Sequence, residues 1–300
     1  MVDFVSHPVT VCVPASSANL GAGFDSMGLA LALYDHVRAR VVDGPTAVRV
    51  SGESAQQLPR DESHLIVRSM RAAFAAAGID APDVELECRN EIPHARGLGS
   101  SSAAIVAGIL IADALVDGHM MDESEILALA SQLEGHPDNV APCLLGGFTV
   151  AWMDGSRARA VTREPAASLS PVVYIPDHYG LTEQARAVMP ELVALSDAVY
   201  NLSRAALGVL AFTHDTDLLF DATDDRLHQR HRAPTMPESV QLVKRLRRDS
   251  IPAMVSGAGP SVLAFTQDPP SQQHFRARTL NVGAAACQIR DTGPQVLPST

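Results

Sequence analysis

The stretch 91–104, EIPHARGLGSSSAA, runs directly into the apolar segment Ile105 to Val116, and it restricts the possible folds more than any other part of the chain. Upstream, Val84, Leu86 and Cys88 alternate with Glu85, Glu87 and Arg89 at the two-residue period of a strand. The expected order is therefore strand, glycine loop, buried helix. Gly97 and Gly99 permit a tight turn and a close ligand, and Ser100, Ser101 and Ser102 offer hydroxyls where the helix begins. A helix start aims unpaired amides and its positive dipole end at the loop, so the natural occupant is an anion such as a phosphate. The competing reading is a serine-capped helix after an ordinary glycine turn; Pro93 and the triple serine favour the cradle. The spacing and lysine of a Walker A loop are missing, as is the Gly-x-Gly-x-x-Gly of a dinucleotide fold.

Three hundred residues with 46% hydrophobic content can bury a large core. At about 150 residues per domain the length implies two lobes. The formal charge of −11 argues against nucleic acid or an anionic membrane as partner, so an anionic substrate has to be held by local amides, a few cations and a divalent metal. Cys12, Cys88, Cys143 and Cys287 lack metal or disulfide spacing and read as small buried hydrophobes. Met1 to Thr10 lacks the basic and apolar regions of a leader, and the run from Ala103 to Leu115 is too short to span a bilayer; a reducing cytoplasm is the expected location.

Val9 to Val13 reads as a strand ended by Pro14 and Met27 to Leu33 as another, with Ala15 to Ser26 a glycine-rich loop between them. Helices are expected over His64 to Ala77, closed by Gly78, and over Asp122 to Leu133, opened by Asp122 and Glu125 at capping-box spacing. The cluster His136-Pro-Asp-Asn139 follows, where Asp138 or Asn139 could simply cap a helix, and then the strand Phe148 to Trp152. Asp154 to Pro171 has no clear period, so the lobes are expected to divide there, as residues 1–160 and 161–300. Beyond it come the strand Val172 to Ile175 and helices at Thr182 to Val188, Ser196 to Phe212 and Pro237 to Arg248. Two apolar runs flank Gly257-Ala-Gly259, and a helix near Ser271 to Arg278 and a strand near Ala284 to Ile289 close the chain, an α+β pattern.

Three motifs in order, Pro14 to Asp25 (PASSANLGAGFD), Pro93 to Ala104 and Ser256 to Ser261 (SGAGPS), resemble those of the GHMP kinases, together spanning most of the chain. Within that superfamily the first motif and Glu134 to Pro142 (EGHPDNVAP) look like the branch that phosphorylates homoserine, departing at Ser16 for Thr and at Ala22 for Pro. The resemblance implies an α+β fold of two lobes, the first like ribosomal protein S5 domain 2 and the second ferredoxin-like, in a homodimer. It also implies ATP and Mg²⁺, with L-homoserine as acceptor in threonine synthesis.

By the same resemblance Pro93, His94, Ala95, Arg96, Gly97, Leu98, Gly99, Ser100, Ser101, Ser102 and Ala103 bind ATP. Ser101 and Glu134 hold the metal, although a glutamate ending a helix is often only solvated. Asn19, Asp25 and His136 line the amino-acid pocket, and Arg186 and Arg232 clamp the carboxylate, with Arg230 competing for the second place. Asn139 positions the reacting hydroxyl; a general base is left open between Asp138 and none. A mevalonate-type kinase and a non-catalytic nucleotide sensor on the same fold are the rival readings.

Overall fold

The computed structural model describes residues 2–180, 182–282 and 288–291. Its first sheet has seven strands: β1 (Val9–Ala18), β2 (Met27–Val41), β3 (Ala47–Gly52), β4 (Val84–Asn90), β5 (Phe148–Asp154), β6 (Arg157–Arg163) and β11 (Gln288–Asp291). The path is β11-β1-β2-β4-β3, with β5 joining β2 and β6 joining β5. Helices α1 (Leu65–Ala76), α2 (Ser100–Leu115), α3 (Glu123–Glu134) and α4 (Val140–Leu145) belong to the same half of the chain. α2 is buried on nearly every side, from Ser102 to Leu115, as its unbroken apolar sequence requires. α1 lies so close to it that a Cβ on Gly108 would stand 2.4 Å from the Ile66 carbonyl oxygen. Each such fully buried Leu, Ile or Val contributes about 1.5–3 kcal/mol, so the start of α2 rests on a rigid base.

The second half contains α5 (Thr182–Ala187), α6 (Leu195–Thr213), α7 (Leu219–Ala222), α8 (Gln229–Arg232) and α9 (Pro237–Arg248). Its sheet runs β10 (Phe275–Thr279), β7 (Pro171–Pro176), β9 (Val262–Phe265), β8 (Ala253–Val255). Every pairing in it is antiparallel, and the spatial order is the fourth, first, third and second strand of the lobe, which is the ferredoxin-like arrangement. This is the two-lobed α+β architecture expected above.

Four expectations need correction. β1 does not stop at Pro14: a register shift between Pro14 and Ala15 accommodates the proline as a bulge, and the strand continues to Ala18. The loop is therefore shorter than Ala15 to Ser26. β2 runs past Leu33 to Val41. The stretch after Asp154 holds β6, whose inward residues are only Ala158 and Ala160, too small to give a visible alternation among the arginines. The helix expected near Ser271 to Arg278 is instead the exposed strand β10, whose form comes from pairing with β7 rather than from its own pattern. The helices at α1, α3, α6 and α9 and the capping box of Asp122 with Glu125 lie where the sequence put them. Cys12, Cys88 and Cys143 are buried, as expected; Cys287 and most of the strand expected near Ala284 lie outside the described residues.

Candidate active site

The three motifs meet at one place. Gly97 and Gly99 adopt left-handed angles, φ 73° and 69°, and a Cβ on either would collide with a neighbour: the Ser256 carbonyl oxygen 2.2 Å from the first, the Ser16 hydroxyl 2.0 Å from the second. The Ser16 amide donates to the Leu98 carbonyl at 3.1 Å, and the Ser256 hydroxyl donates to the Gly97 carbonyl at 2.6 Å. Gly99 is the N-cap of α2, and no side chain caps that helix. The first-turn amides are thus left to a ligand, where serine caps could have satisfied them.

Beside the loop, Glu134 at the end of α3 accepts from the Ser101 hydroxyl at 2.8 Å and from the Ser102 hydroxyl at 2.9 Å. His94, Ala95, Arg96, Gly97, Gly99, Ser100, Ser101 and Ala103 line a cavity of about 470 Å³ together with Glu134. Pro93, Leu98 and Ser102 are buried and are not part of its lining. The Arg96 guanidinium donates to the carbonyls of Pro176 (2.8 Å) and Asp177 (2.5 Å) and, within the loop, of His94 (3.2 Å), and it lies over the Tyr179 ring, so it ties the loop to the second lobe.

A second part of the site is built from side chains. Asp25, with φ 54°, is held by the Asn19 side chain, whose Oδ1 accepts from the Asp25 amide at 3.0 Å while its Nδ2 donates to the Gly257 carbonyl at 2.9 Å. Arg186 donates twice to the Asp25 carboxylate, at 2.8 and 3.1 Å. Burial acts against the Arg186 charge, but Asp25, Asp138 and Glu134 outweigh it and raise its pKa. Arg232 is 1% exposed and makes no ion pair among the described residues; its guanidinium reaches the Ala185 carbonyl at 3.2 Å, the Gly257 carbonyl at 3.4 Å and His228 Nδ1 at 3.2 Å. Burial first and the neighbouring Arg186 second lower its pKa. Arg230 points elsewhere, to Asp197 at the surface.

His136 and Asp138 share a hydrogen bond of 2.5 Å, with Asp138 1% exposed. Burial opposes a proton on His136, yet the hydrogen bond and charge of Asp138, with Glu134 beyond, hold its pKa above the ordinary value. Asn139 occupies the N-cap of α4 without capping it; its Oδ1 accepts from the Ser16 hydroxyl at 2.9 Å, beside Gly99. Neither Asp138 nor Asn139 is thus spent as a plain cap.

Sequence reasoning missed two groups. His228, wholly buried, donates from Nε2 to the Gly21 carbonyl at 2.8 Å and stacks on Phe24, so the second lobe clamps the 19–25 loop. Asp35, Asn90, His64 and the apolar Val37, Leu58, Pro59, Leu65 and Ile66 extend the cavity between β2 and α1. Asp35 was legible in principle: it is an acid at an inward position of the alternating run Leu29, Leu31, Leu33, Asp35, Val37.

The comparisons with known proteins agree with this fold. Residues 64–147 match the family model for the GHMP kinases N terminal domain and 209–282 the model for the GHMP kinases C terminal. Homoserine kinase of Streptomyces avermitilis is 50% identical, covering 98% of this chain and 97% of the relative. That of Streptomyces coelicolor is 54% identical over 87% and 85%. Among solved structures, homoserine kinase from Cytophaga hutchinsonii superimposes with a TM-score of 0.81 at 26% identity, covering 97% of this chain and 99% of the other. The mevalonate kinase of L. major shares the fold alone, with a TM-score of 0.70 at 13% identity over 95% and 100%. Fold and site together define a GHMP kinase. Within that class the chain belongs to the homoserine kinase family.

Proposed function

We propose that the chain transfers the γ-phosphoryl group of ATP to the side-chain hydroxyl of L-homoserine, giving O-phospho-L-homoserine and ADP, a step of threonine biosynthesis. Arg232 carries the choice of acceptor. A guanidinium buried to 1% exposure without an anionic partner is costly unless a ligand supplies the charge, and an amino-acid carboxylate does so. The Asp25–Arg186 pair beside it matches the rest of a zwitterion: on entry the ammonium takes Asp25, and the carboxylate takes Arg186 and Arg232. Mevalonate has no ammonium to exchange for that pair, and a sensor needs no carboxylate beside the phosphates.

The amides from Gly97 to Ser101 wrap the phosphates. The hydroxyl of Ser101 and the carboxylate of Glu134 suit Mg²⁺, which takes one or two carboxylates and leaves its other positions to phosphate oxygens and water. When bound, the metal neutralises charge on the transferring group. Asn139 aligns the acceptor hydroxyl, and Asp138, alone or through His136, is the group that can receive its proton; a loose transition state asks for alignment and neutralisation more than for a strong base. A homodimer is part of this reading, supported by α6, which exposes Leu195 (79%), Val199 (58%) and Leu202 (74%) along one face; a monomer mass in sedimentation velocity would remove it. Cytoplasmic location rests on the family.

The test is purified protein with Mg-ATP and L-homoserine, followed by mass analysis for a phosphorylated amino acid. A parallel panel offers mevalonate and sugars. Phosphorylation of mevalonate and not of homoserine overturns the acceptor; ADP formation at background with every alcohol overturns catalysis.

A further inference from the structure

The chamber between β2 and α1 is used by neither the phosphates nor the acceptor as placed above. Its walls include Val37, Leu58, Pro59, Leu65 and Ile66, apolar surfaces between which a flat ring can lie. One acid stands among them. Asp35 is 6% exposed and has no cation partner among the described residues. Its Oδ1 accepts both the Glu91 amide at 2.7 Å and the Ile92 amide at 2.9 Å, the two residues that lead into the glycine loop. Oδ2 has no hydrogen-bond partner among the described residues, which leaves it as the atom the carboxyl can present to the cavity.

A carboxylate here repels phosphate, so the phosphates keep to the Gly97 to Ser101 end and the base falls at the Asp35 end. Burial pushes the Asp35 carboxyl up to about 6 even though the two amides pull it down, so the open oxygen is an acceptor at neutral pH and is short of a donor. We propose that Asp35 Oδ2 accepts a hydrogen bond from the exocyclic amino group of adenine, so that this side chain selects an aminopurine over an oxopurine. An oxopurine would set its carbonyl against the carboxylate, acceptor against acceptor. The inference rests on the ATP reading above and adds to it a residue that determines which nucleotide is taken.

Asp35→Asn inverts the polarity of the contact. To keep the Glu91 and Ile92 amides the new side chain has to offer them its carbonyl oxygen, which turns the NH₂ group to the cavity as a donor. Calorimetric titration of ADP and inosine diphosphate, without any acceptor alcohol, reads this independently of what is phosphorylated. The wild type is expected to bind ADP about 10- to 100-fold more tightly than inosine diphosphate, and Asp35→Asn to narrow or reverse that ratio. A role confined to anchoring the loop weakens both nucleotides alike and leaves the ratio unchanged in the variant. That result, or equal binding of the two by the wild type, overturns the proposal while sparing the kinase reading. Failure of both to bind overturns the two together. Should Asp35→Asn not fold, purine riboside diphosphate decides on the wild type: lacking the amino group, it is expected to bind well below ADP, and binding equal to ADP refutes the contact.

Discussion

At the Gly97 to Ser101 end the cavity wall is backbone, whereas at the Arg186 to Arg232 end it is side chain, gathered from the 19–25 loop, α5, α8 and the Gly257 turn. The first end meets its ligand with amides fixed by α2, and their direction does not depend on which side chains surround them. The second holds opposite charges against each other, Asp25 with Arg186, and keeps one guanidinium unpaired. A generic phosphate suits the first and a particular zwitterion the second. Substitutions at the two ends should therefore fail in different kinetic parameters.

Glu134→Ala makes the largest difference. With the carboxylate gone, Ser101 and Ser102 lose their shared acceptor and the proposed metal site loses its carboxylate. Turnover is expected to fall about 100- to 1000-fold, with KM for homoserine little changed. Steady-state kinetics across Mg²⁺ concentrations measure it, and wild-type turnover would remove Glu134 from the metal. Arg232→Lys is next and should show the reverse pattern. The ammonium cannot reproduce the fork that reaches Ala185 and His228 and that is proposed to take the substrate carboxylate, so kcat/KM for homoserine should drop about 30- to 100-fold while KM for ATP stays put. An equal loss in both parameters would mean that the two ends are not separate.

How much could be read from the sequence follows the same division. The glycine turn and the helix after it were legible because glycine spacing and the start of an apolar helix are both local properties of 91–116. Asp25, Arg186 and Arg232 were named only through resemblance, since nothing local tells a clamping arginine from a solvated one; Arg230 and Arg232 differ in the fold, one paired with Asp197 at the surface and the other enclosed. His228 gave no signal at all, because its role depends on a contact with Gly21 across 207 positions of sequence. The fold behaves alike: α2 and α3 announce themselves by period and capping, while β6 and β10 exist by pairing at sheet edges.

A smaller effect probes the His136–Asp138 contact between the two ends. The folded-state pKa of His136 lies above the unfolded value of about 6.5, so its stabilising contribution is complete below that value and is lost as pH rises through the folded one. The melting-temperature advantage of wild type over His136→Gln should accordingly shrink as pH rises above about 6.5. An advantage that grows with pH would mean that burial dominates and the histidine is neutral.

The smallest effect separates packing from chemistry within a single helix. Asp122 and Glu134 stand just before and at the end of α3, and the Asp122 carboxylate accepts from the Glu125 amide at 2.8 Å while Glu125 returns the bond to the Asp122 amide. Removing it with Asp122→Ala should cost about 1 kcal/mol, the usual worth of a helix cap, and lower Tm by roughly 1–2 °C in a chain of this size. Turnover should hold, because the far end of α3 is fastened by its own packing and by the two serine bonds to Glu134. Differential scanning calorimetry paired with the kinase assay reads both quantities on one preparation. If turnover falls with the cap, Glu134 depends on the whole helix for its position, and the loss in Glu134→Ala could no longer be assigned to the carboxylate alone.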